Sequence, residues 1–319
     1  MTRHLALVGP TASGKSALAL AIARSAPDVE IVSLDSMQVY RGLDIGTAKP
    51  TSAERAEVVH HLIDVADPSE EWSVRRTQNS ARAVLADIEA RHRRALLVGG
   101  TGLYLRAVVD DLEIPPTDQL VRDRLDQEAD SDDGLANAYG RLVEIDPAAA
   151  ARMEPGNRRR IVRALEVIEL TGRCFSSFGP GIDEYPVPAI SVTMLGLRFD
   201  APVLAARIAG RFDQMRRNGL VEEVRALADL PADQSLSRTA REAIGYRELL
   251  AHFAGALPTL DDAFDEAVRR TRRFARRQRT WFGRDPRVHW IDGTRSVADL
   301  AADAVRAWRD PQPAIVAVR

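Results

Sequence analysis

The short apolar run Leu5 to Val8 runs straight into GPTASGKS, Gly9 to Ser16, and then into the helix-like ALALAIARS, Ala17 to Ser25. Gly, four residues, then Gly-Lys-Ser is the spacing of a phosphate-cradling loop. It constrains the fold because it works only between a buried strand and a helix N-terminus. Gly9 and Gly14 permit the turn that points backbone N–H groups inward, and Pro10, Thr11, Ala12 and Ser13 form the rim between them. The helix start adds the positive end of its dipole. Lys15 brings a full charge to phosphate oxygens, and the Ser16 hydroxyl is placed to reach a bound Mg²⁺. A chance glycine-rich turn would lack the strand before and the helix after.

Further apolar runs extend that unit into a sheet. EIVSLDS (Glu30–Ser36), HHLIDV (His60–Val65), RALLVGG (Arg94–Gly100), ISVTMLGLRF (Ile190–Phe199) and RVHWID (Arg287–Asp292) read as strands, with helical patterns between most of them. Alternating β and α predicts a parallel sheet covered on both faces, an α/β core of the P-loop NTPase-like kind. The rhythm breaks between residues 112 and 188, where no strand pattern occurs. Pro115, Pro116, Pro180, Pro186 and Pro188 punctuate its edges. NRRRIVRALEVIELTG is its clearest helix, with Ile161, Leu165 and Ile168 on one stripe and Gly172 as C-cap. The expected organisation is a core from residues 1–111 and 189–319 with a helical insertion domain at 112–188.

Charge is uneven. The net charge is −2, yet Asp110 to Asp146 holds twelve acids against three arginines, and Arg269 to Arg287 holds nine arginines against one acid, Asp285. The second run lies on FDEAVRRTRRFARRQRTWF, whose stripe Phe264, Val268, Thr271, Ala275, Gln278 and Phe282 is the inward face. Its arginines form either a solvated face or a phosphate-backbone contact, since one acid cannot neutralise nine arginines. Of 44 basic residues only Lys15 and Lys49 are lysines. A compact ammonium suits a crowded phosphate site where a guanidinium does not, and the same logic marks Lys49, in DIGTAKP, as a functional candidate. Cys174 is the single cysteine, so no internal disulfide framework exists. No secretory h-region opens the chain, and no run approaches the roughly 18 apolar residues of a membrane span, so a cytoplasmic location is expected. His60, His61 and His92 have no metal-ligand partner set and read as structural.

A phosphate loop alone suggests a kinase or an ATPase, which needs a carboxylate for Mg²⁺ at a neighbouring strand end. RALLVGG ends in GGTGLY instead, offering the hydroxyl of Thr101. The strand that does end in a carboxylate is EIVSLDSMQVY, giving Asp35. In an open α/β sheet such ends face the ligand crevice. Asp35 is a metal ligand or a general base, and composition does not separate the two.

GPTASGKS, DSMQVYRGLDIGTAKP, LLVGGTGLYLRA, RRIVRALEV and RIAGRFDQMRRNGLVEEVRAL, in this order over nearly the whole chain, resemble the tRNA dimethylallyltransferases. AIGYREL (Ala243–Leu249) fits the same pattern, and the Cys/His extension of the eukaryotic relatives is missing, which points to the bacterial type. The resemblance implies transfer of a dimethylallyl group from dimethylallyl diphosphate to N6 of adenosine 37, in tRNAs that read codons beginning with U. The loop from Gly9 to Ser16 and Arg211 would hold the diphosphate, with Mg²⁺ on Ser16. Thr101 would bond the bridging region of the diphosphate, and Asp35 would take the N6 proton. Asp35, Ser36, Met37, Gln38 and Thr101 would meet the flipped base of the anticodon stem-loop. Arg122 and the segment Arg159, Arg160, Ile161, Val162 and Arg163 would contact tRNA. A monomer is expected, with no membrane partner since no apolar run is long enough to span one.

Two alternatives remain open. An adenylate isopentenyltransferase needs neither the insertion nor the arginine-rich face. A P-loop kinase of a small metabolite is argued against by GGTGLY. A pure RNA-binding module has no use for Lys15, Ser16 and Asp35 together.

Overall fold

Side chains alternate across each strand, so a central strand with both faces covered must be apolar at every position. The strand before the phosphate loop meets this demand from Leu5 to Val8, and its one polar residue, His4, bonds Glu89 and Ala95 N. In the computed structural model, which describes residues 4–178 and 184–309, β1 (His4–Val8) is buried along its length. With β2 (Val29–Ser33), β3 (His60–His61), β4 (Arg94–Val98), β5 (Val192–Arg198) and β6 (Val288–Asp292) it forms a sheet in the order β3-β2-β4-β1-β5-β6. Every pairing is parallel. Pro180, one of the expected edge prolines, lies outside the described residues, as do residues 1–3 and 310–319.

The helices follow in chain order. α1 (Lys15–Ser25), α2 (Ser52–Glu57), α3 (Val74–Ala90) and α4 (Gly102–Val109) precede the insertion. The insertion holds α5 (Gln119–Glu128), α6 (Asp132–Ile145), α7 (Pro147–Ala150) and α8 (Arg158–Thr171). After it come α9 (Ala201–Arg217), α10 (Leu220–Ala228), α11 (Arg238–Arg241), α12 (Tyr246–Phe253), α13 (Leu260–Arg284) and α14 (Val297–Arg309). Leu5, Leu7, Ile31 and Leu96 pack with Leu18 and Ile22 of α1 and with apolar residues of α9, α12, α13 and α14. Ala6, Val8, Val32 and Leu97 face the other way, onto Leu85 and Ile88 of α3, Leu105 and Val108 of α4, and Phe282.

The chain divides into two compact units, one of residues 1–110 with 187–319 and one of residues 111–186. The second unit has its own core, in which Ile161, Val162 and Leu165 of α8 pack with Leu125 and Leu142. Asn157 caps α8 through Arg160 N, and Gly172 ends it at φ 67°. The carboxylate of Glu166, 0% exposed, is held by Arg122 at 2.7 Å, by Arg163 at 2.8 Å and by the Asp118 N–H at 2.9 Å. Burial pushes this carboxyl up, but the two guanidinium bonds outweigh burial and leave it below the usual range.

The third strand is shorter than its apolar run. HHLIDV suggests a strand to Val65, but pairing stops at His61 because Leu62 and Asp64 adopt left-handed backbone, at φ 61° and 57°. Such residues cannot continue a pleated ladder. The second strand likewise ends at Ser33 rather than Ser36, since Asp35 closes a side-chain turn onto Met37 and Gln38.

Candidate active site

Sheet order decides which loops meet. β4 lies between β1 and β2, so the phosphate loop after β1, the GGT segment after β4 and Asp35 after β2 emerge from three neighbouring strand ends. Leu34 N donates to Val98 O at 2.8 Å, and a Cβ on Gly99 would stand 3.0 Å from Leu34 Cβ. The backbone carrying Asp35 and the backbone carrying Thr101 are therefore in contact.

The loop has the conformation its glycines allow. Gly9 sits at φ 139° with β5 so close that an added Cβ would lie 3.2 Å from Leu197 O. Gly14 sits at φ 88° as N-cap of α1. The N–H groups of Lys15, Ser16 and Ala17 begin that helix and have no intrahelical acceptor. The Lys15 ammonium donates to Gly9 O at 2.9 Å and to Pro10 O at 2.7 Å. Burial lowers its pKa to about 8, Asp35 acts in the opposite direction and Arg211 adds to the lowering. Arg211, from α9, donates to Thr11 Oγ1 at 3.2 Å; burial lowers its pKa too, and Asp35 offsets part of this. Lys15, Arg211 and Asp35 thus share one electrostatic field. Ser13 Oγ is buried and has no hydrogen-bond partner.

Asp35 accepts Met37 N at 2.8 Å and Gln38 N at 3.3 Å through Oδ1 alone. That fixes the carboxylate and leaves Oδ2 available. Thr101 is the N-cap of α4, yet its side chain makes no capping bond, so its hydroxyl is available as well. The Tyr104 hydroxyl is pushed up to about 12 by burial and by the neighbouring Tyr40 and Asp35. Arg211 also lines a cavity of about 510 Å³ with Ile45, Ala48, Pro50 and Met215.

Other expected contacts are placed differently. Gln38 is buried, and its amide is engaged: Ser33 Oγ donates to Oε1 at 3.0 Å, and Nε2 donates to Thr47 O and Ala48 O. It ties the DIGTAKP loop to β2, while Ser36 and Met37 stay half-exposed. Lys49 is an internal pin, its ammonium bonding Tyr40 O at 2.6 Å, Asp44 and Asp64. Ile161 and Val162 are 0% and 2% exposed in the core of the insertion, so their side chains are unavailable to a polynucleotide. Arg163 bonds Pro115 O, Pro116 O and Glu166, and Arg122 bonds Glu166. Both guanidiniums hold the insertion together, whereas Arg159 and Arg160 are exposed.

The arginine run is partly neutralised from outside itself. Glu266 takes Arg269 and Arg273, Glu248 takes Arg270, and Asp110 shares Arg287 with Asp285. His60 bonds Val58 O, and His61 pairs with the buried Glu30. Among the described residues, no group of three or more His, Cys, Asp or Glu side chains is placed to hold a metal ion. None of the described helices is long and apolar enough to cross a membrane.

Two residues bind these loops that the sequence did not single out. Glu223 of α10 accepts the N–H groups of Asp44, Ile45 and Gly46 and the Tyr246 hydroxyl. Gln278 of α13 accepts Thr11 N at 2.8 Å and donates to Gly100 O at 2.8 Å. The one signal for Gln278 is an amide inside an otherwise apolar stripe.

Residues 38–285 match the family described as IPP transferase, and residues 2–66 match the one described as isopentenyl transferase. The chain belongs to the IPP transferase family. Its similarity to the tRNA dimethylallyltransferase of Salinispora tropica is 50% identity, covering 95% of this chain and 92% of that one. The same-named protein of Streptomyces coelicolor is 48% identical over 93% of this chain and 92% of its own length. The full-length tRNA isopentenylpyrophosphate transferase of Bacillus halodurans superposes with TM-score 0.65 at 36% identity, over 97% of this chain and all of that one. A eukaryotic dimethylallyltransferase solved acting on tRNA gives TM-score 0.80 at 25% identity, over 99% and 81% of the two chains. The six-stranded parallel sheet flanked by helices is the P-loop NTPase-like fold of this family.

Proposed function

We propose that this IPP transferase moves a dimethylallyl group from dimethylallyl diphosphate to N6 of adenosine 37, in tRNAs that read codons beginning with U. Transfer of the group to tRNA follows from the family; the acceptor atom and the residue roles are our reading. One observation carries it: three adjacent strand ends join a phosphate loop, a hydroxyl free of capping and a carboxylate with one free oxygen.

The reaction breaks the C1–O bond of the prenyl diphosphate and forms a C1–N6 bond. Lys15, Arg211 and the loop N–H groups take up the charge that the leaving diphosphate gathers, and they do so in a partly desolvated site, where such contacts count most. The Thr101 hydroxyl donates to a diphosphate oxygen. Asp35 Oδ2 takes the proton that N6 loses, with its carboxylate held by the Met37 and Gln38 N–H groups. Ile45, Pro50 and Met215 offer the prenyl chain apolar contacts beside Arg211.

Mg²⁺ fits the donor set at the helix start. Ser16 is exposed there, and Mg²⁺ keeps several waters and takes one or two protein ligands with phosphate oxygens. When bound, it would neutralise diphosphate charge. The tRNA is held through phosphate contacts from Arg159 and Arg160 of the insertion. The protein is read as a monomer working in the cytoplasm.

Mass spectrometry of undermodified bulk tRNA after incubation with the protein, dimethylallyl diphosphate and Mg²⁺ tests this. The expected result is one added five-carbon unit on the adenosine beside the anticodon. Modification of free AMP but not tRNA would replace it with the adenylate reading, and phosphoryl transfer from ATP would replace it with the kinase reading.

A further inference from the structure

α13 has two faces. Arg272, Arg276 and Arg279 are exposed, while Phe264, Ala267, Thr271, Ala275, Gln278 and Phe282 are buried. A glutamine 5% exposed among apolar neighbours must satisfy both ends of its amide inside the protein. Gln278 does so across the active site. Its Oε1 accepts the Thr11 N–H and its Nε2 donates to the Gly100 carbonyl, each at 2.8 Å. Gly100 leaves room for nothing else: a Cβ there would stand 2.3 Å from Nε2. One turn on, Trp281 closes over Gly102, where a Cβ would meet the indole at 1.9 Å.

We infer that Gln278 is a positioning residue for prenyl transfer, setting the gap between the diphosphate loop and the Thr101 segment. Resting on the reading above, the inference adds a residue that touches neither substrate. The bridge fixes Thr11 from its backbone while Arg211 holds it by its hydroxyl. It also fixes Gly100, the residue before Thr101. The two segments approach the same diphosphate from different strands, so their separation decides whether both contacts form at once. An uncharged amide of this length accepts from one and donates to the other. Asparagine falls short, glutamate sets an oxygen against the Gly100 carbonyl, and methionine fills the space but does neither.

The test uses the full chain with Gln278→Met and, from the other side of the contact, Gly100→Ala. Single-turnover prenylation at saturating dimethylallyl diphosphate and tRNA should fall on the order of 10²-fold, the cost of a misplacement near 1 Å. The Kd for tRNA should change less than twofold, at a temperature where the variants are folded by circular dichroism. Gln278→Glu, which sets a buried carboxylate against the Gly100 carbonyl beside the diphosphate, should fall at least as far as Gln278→Met. Inorganic diphosphate affinity, measured calorimetrically, should weaken in Gln278→Met and Gly100→Ala. This readout needs no turnover, so it judges the inference even if wild-type protein modifies no tRNA. Wild-type rate and diphosphate affinity in folded Gln278→Met would overturn it, as would loss of rate only in proportion to unfolded protein.

Discussion

Lys15 titrates where it can be watched. Burial brings its pKa from 10.5 to about 8, against the pull of Asp35. A bound diphosphate favours the charged ammonium, so binding raises that pKa and draws in a proton whenever the free protein has lost it. Below about pH 8 the ammonium is already present and affinity owes nothing to pH through Lys15. Above it, each unit of pH demands one more tenfold step of protonation. At pH 9 roughly one molecule in ten is charged, which costs about tenfold in affinity, or about 1.4 kcal/mol. Isothermal titration of inorganic diphosphate from pH 7 to 9.5, in two buffers of different ionisation enthalpy, measures affinity and proton uptake together. Diphosphate has its own ionisations, so the quantity that matters is wild type minus Lys15→Met. The expected difference is an uptake approaching one proton above pH 8, with the affinity advantage of wild type shrinking as pH rises. Equal proton uptake in the two proteins would refute the assignment of Lys15 to the diphosphate.

Asp35→Asn should lower the single-turnover rate by about 10²–10⁴-fold with diphosphate and tRNA still bound. Rescue by raised Mg²⁺ would make Asp35 a metal ligand instead. Neutralising Arg159 and Arg160 should flatten the salt dependence of tRNA binding, by about one log–log unit for each phosphate that these arginines pair with. An unchanged slope would make them a solvated face. Lys49→Met should destabilise the protein by roughly 2–3 kcal/mol in denaturant titration, the range for removing bonds to a charged group, because Asp44 and Asp64 keep some solvent after the ammonium goes. A loss of activity at unchanged stability would return Lys49 to the chemistry.

The elements that local chemistry dictates were legible. The strand–loop–helix around Gly9 to Ser16 follows from the apolar run before the loop, the glycine spacing within it and the helical pattern after it, and Asp35 follows from its strand end. What stayed hidden depends on partners distant in sequence. Gln278 lies 267 residues from Thr11, so its amide looks like a flaw in an apolar stripe until α13 is laid against the loops. The arginine run looked unneutralised because Glu248 and Asp110 are not in it; Glu248 is 22 residues from Arg270, and Asp110 is 177 from Arg287. Lys49 stood out for being a lysine, which was a sound signal of constraint. The constraint proved to be an internal ion pair, where a compact ammonium is as necessary as it is beside a phosphate. Helix period could have separated the arginines of α8. Arg159 and Arg160 precede the first buried turn, while Arg163 and Glu166 sit at a spacing of three on one side and share a salt bridge.

The position of β4 is what makes these parts one site. Were β1 and β2 direct neighbours, the phosphate loop and Asp35 would abut, and a carboxylate would press against the anion that the loop must hold. β4 separates them by one strand. Into that space it puts glycines, which let the backbones close up, and Thr101, which carries no charge. On the proposed reading the anion-holding groups lie on one side, the proton acceptor on the other, and a neutral donor lies between them. That is the order of charge along the reacting axis of a prenyl diphosphate attacked by an amine: leaving anion, then allylic carbon, then the nitrogen that sheds a proton. A kinase needs its carboxylate beside the phosphates to hold the metal; here the β4 end beside the loop carries Thr101 instead, and on the proposed reading Asp35 stands where the nucleophile arrives.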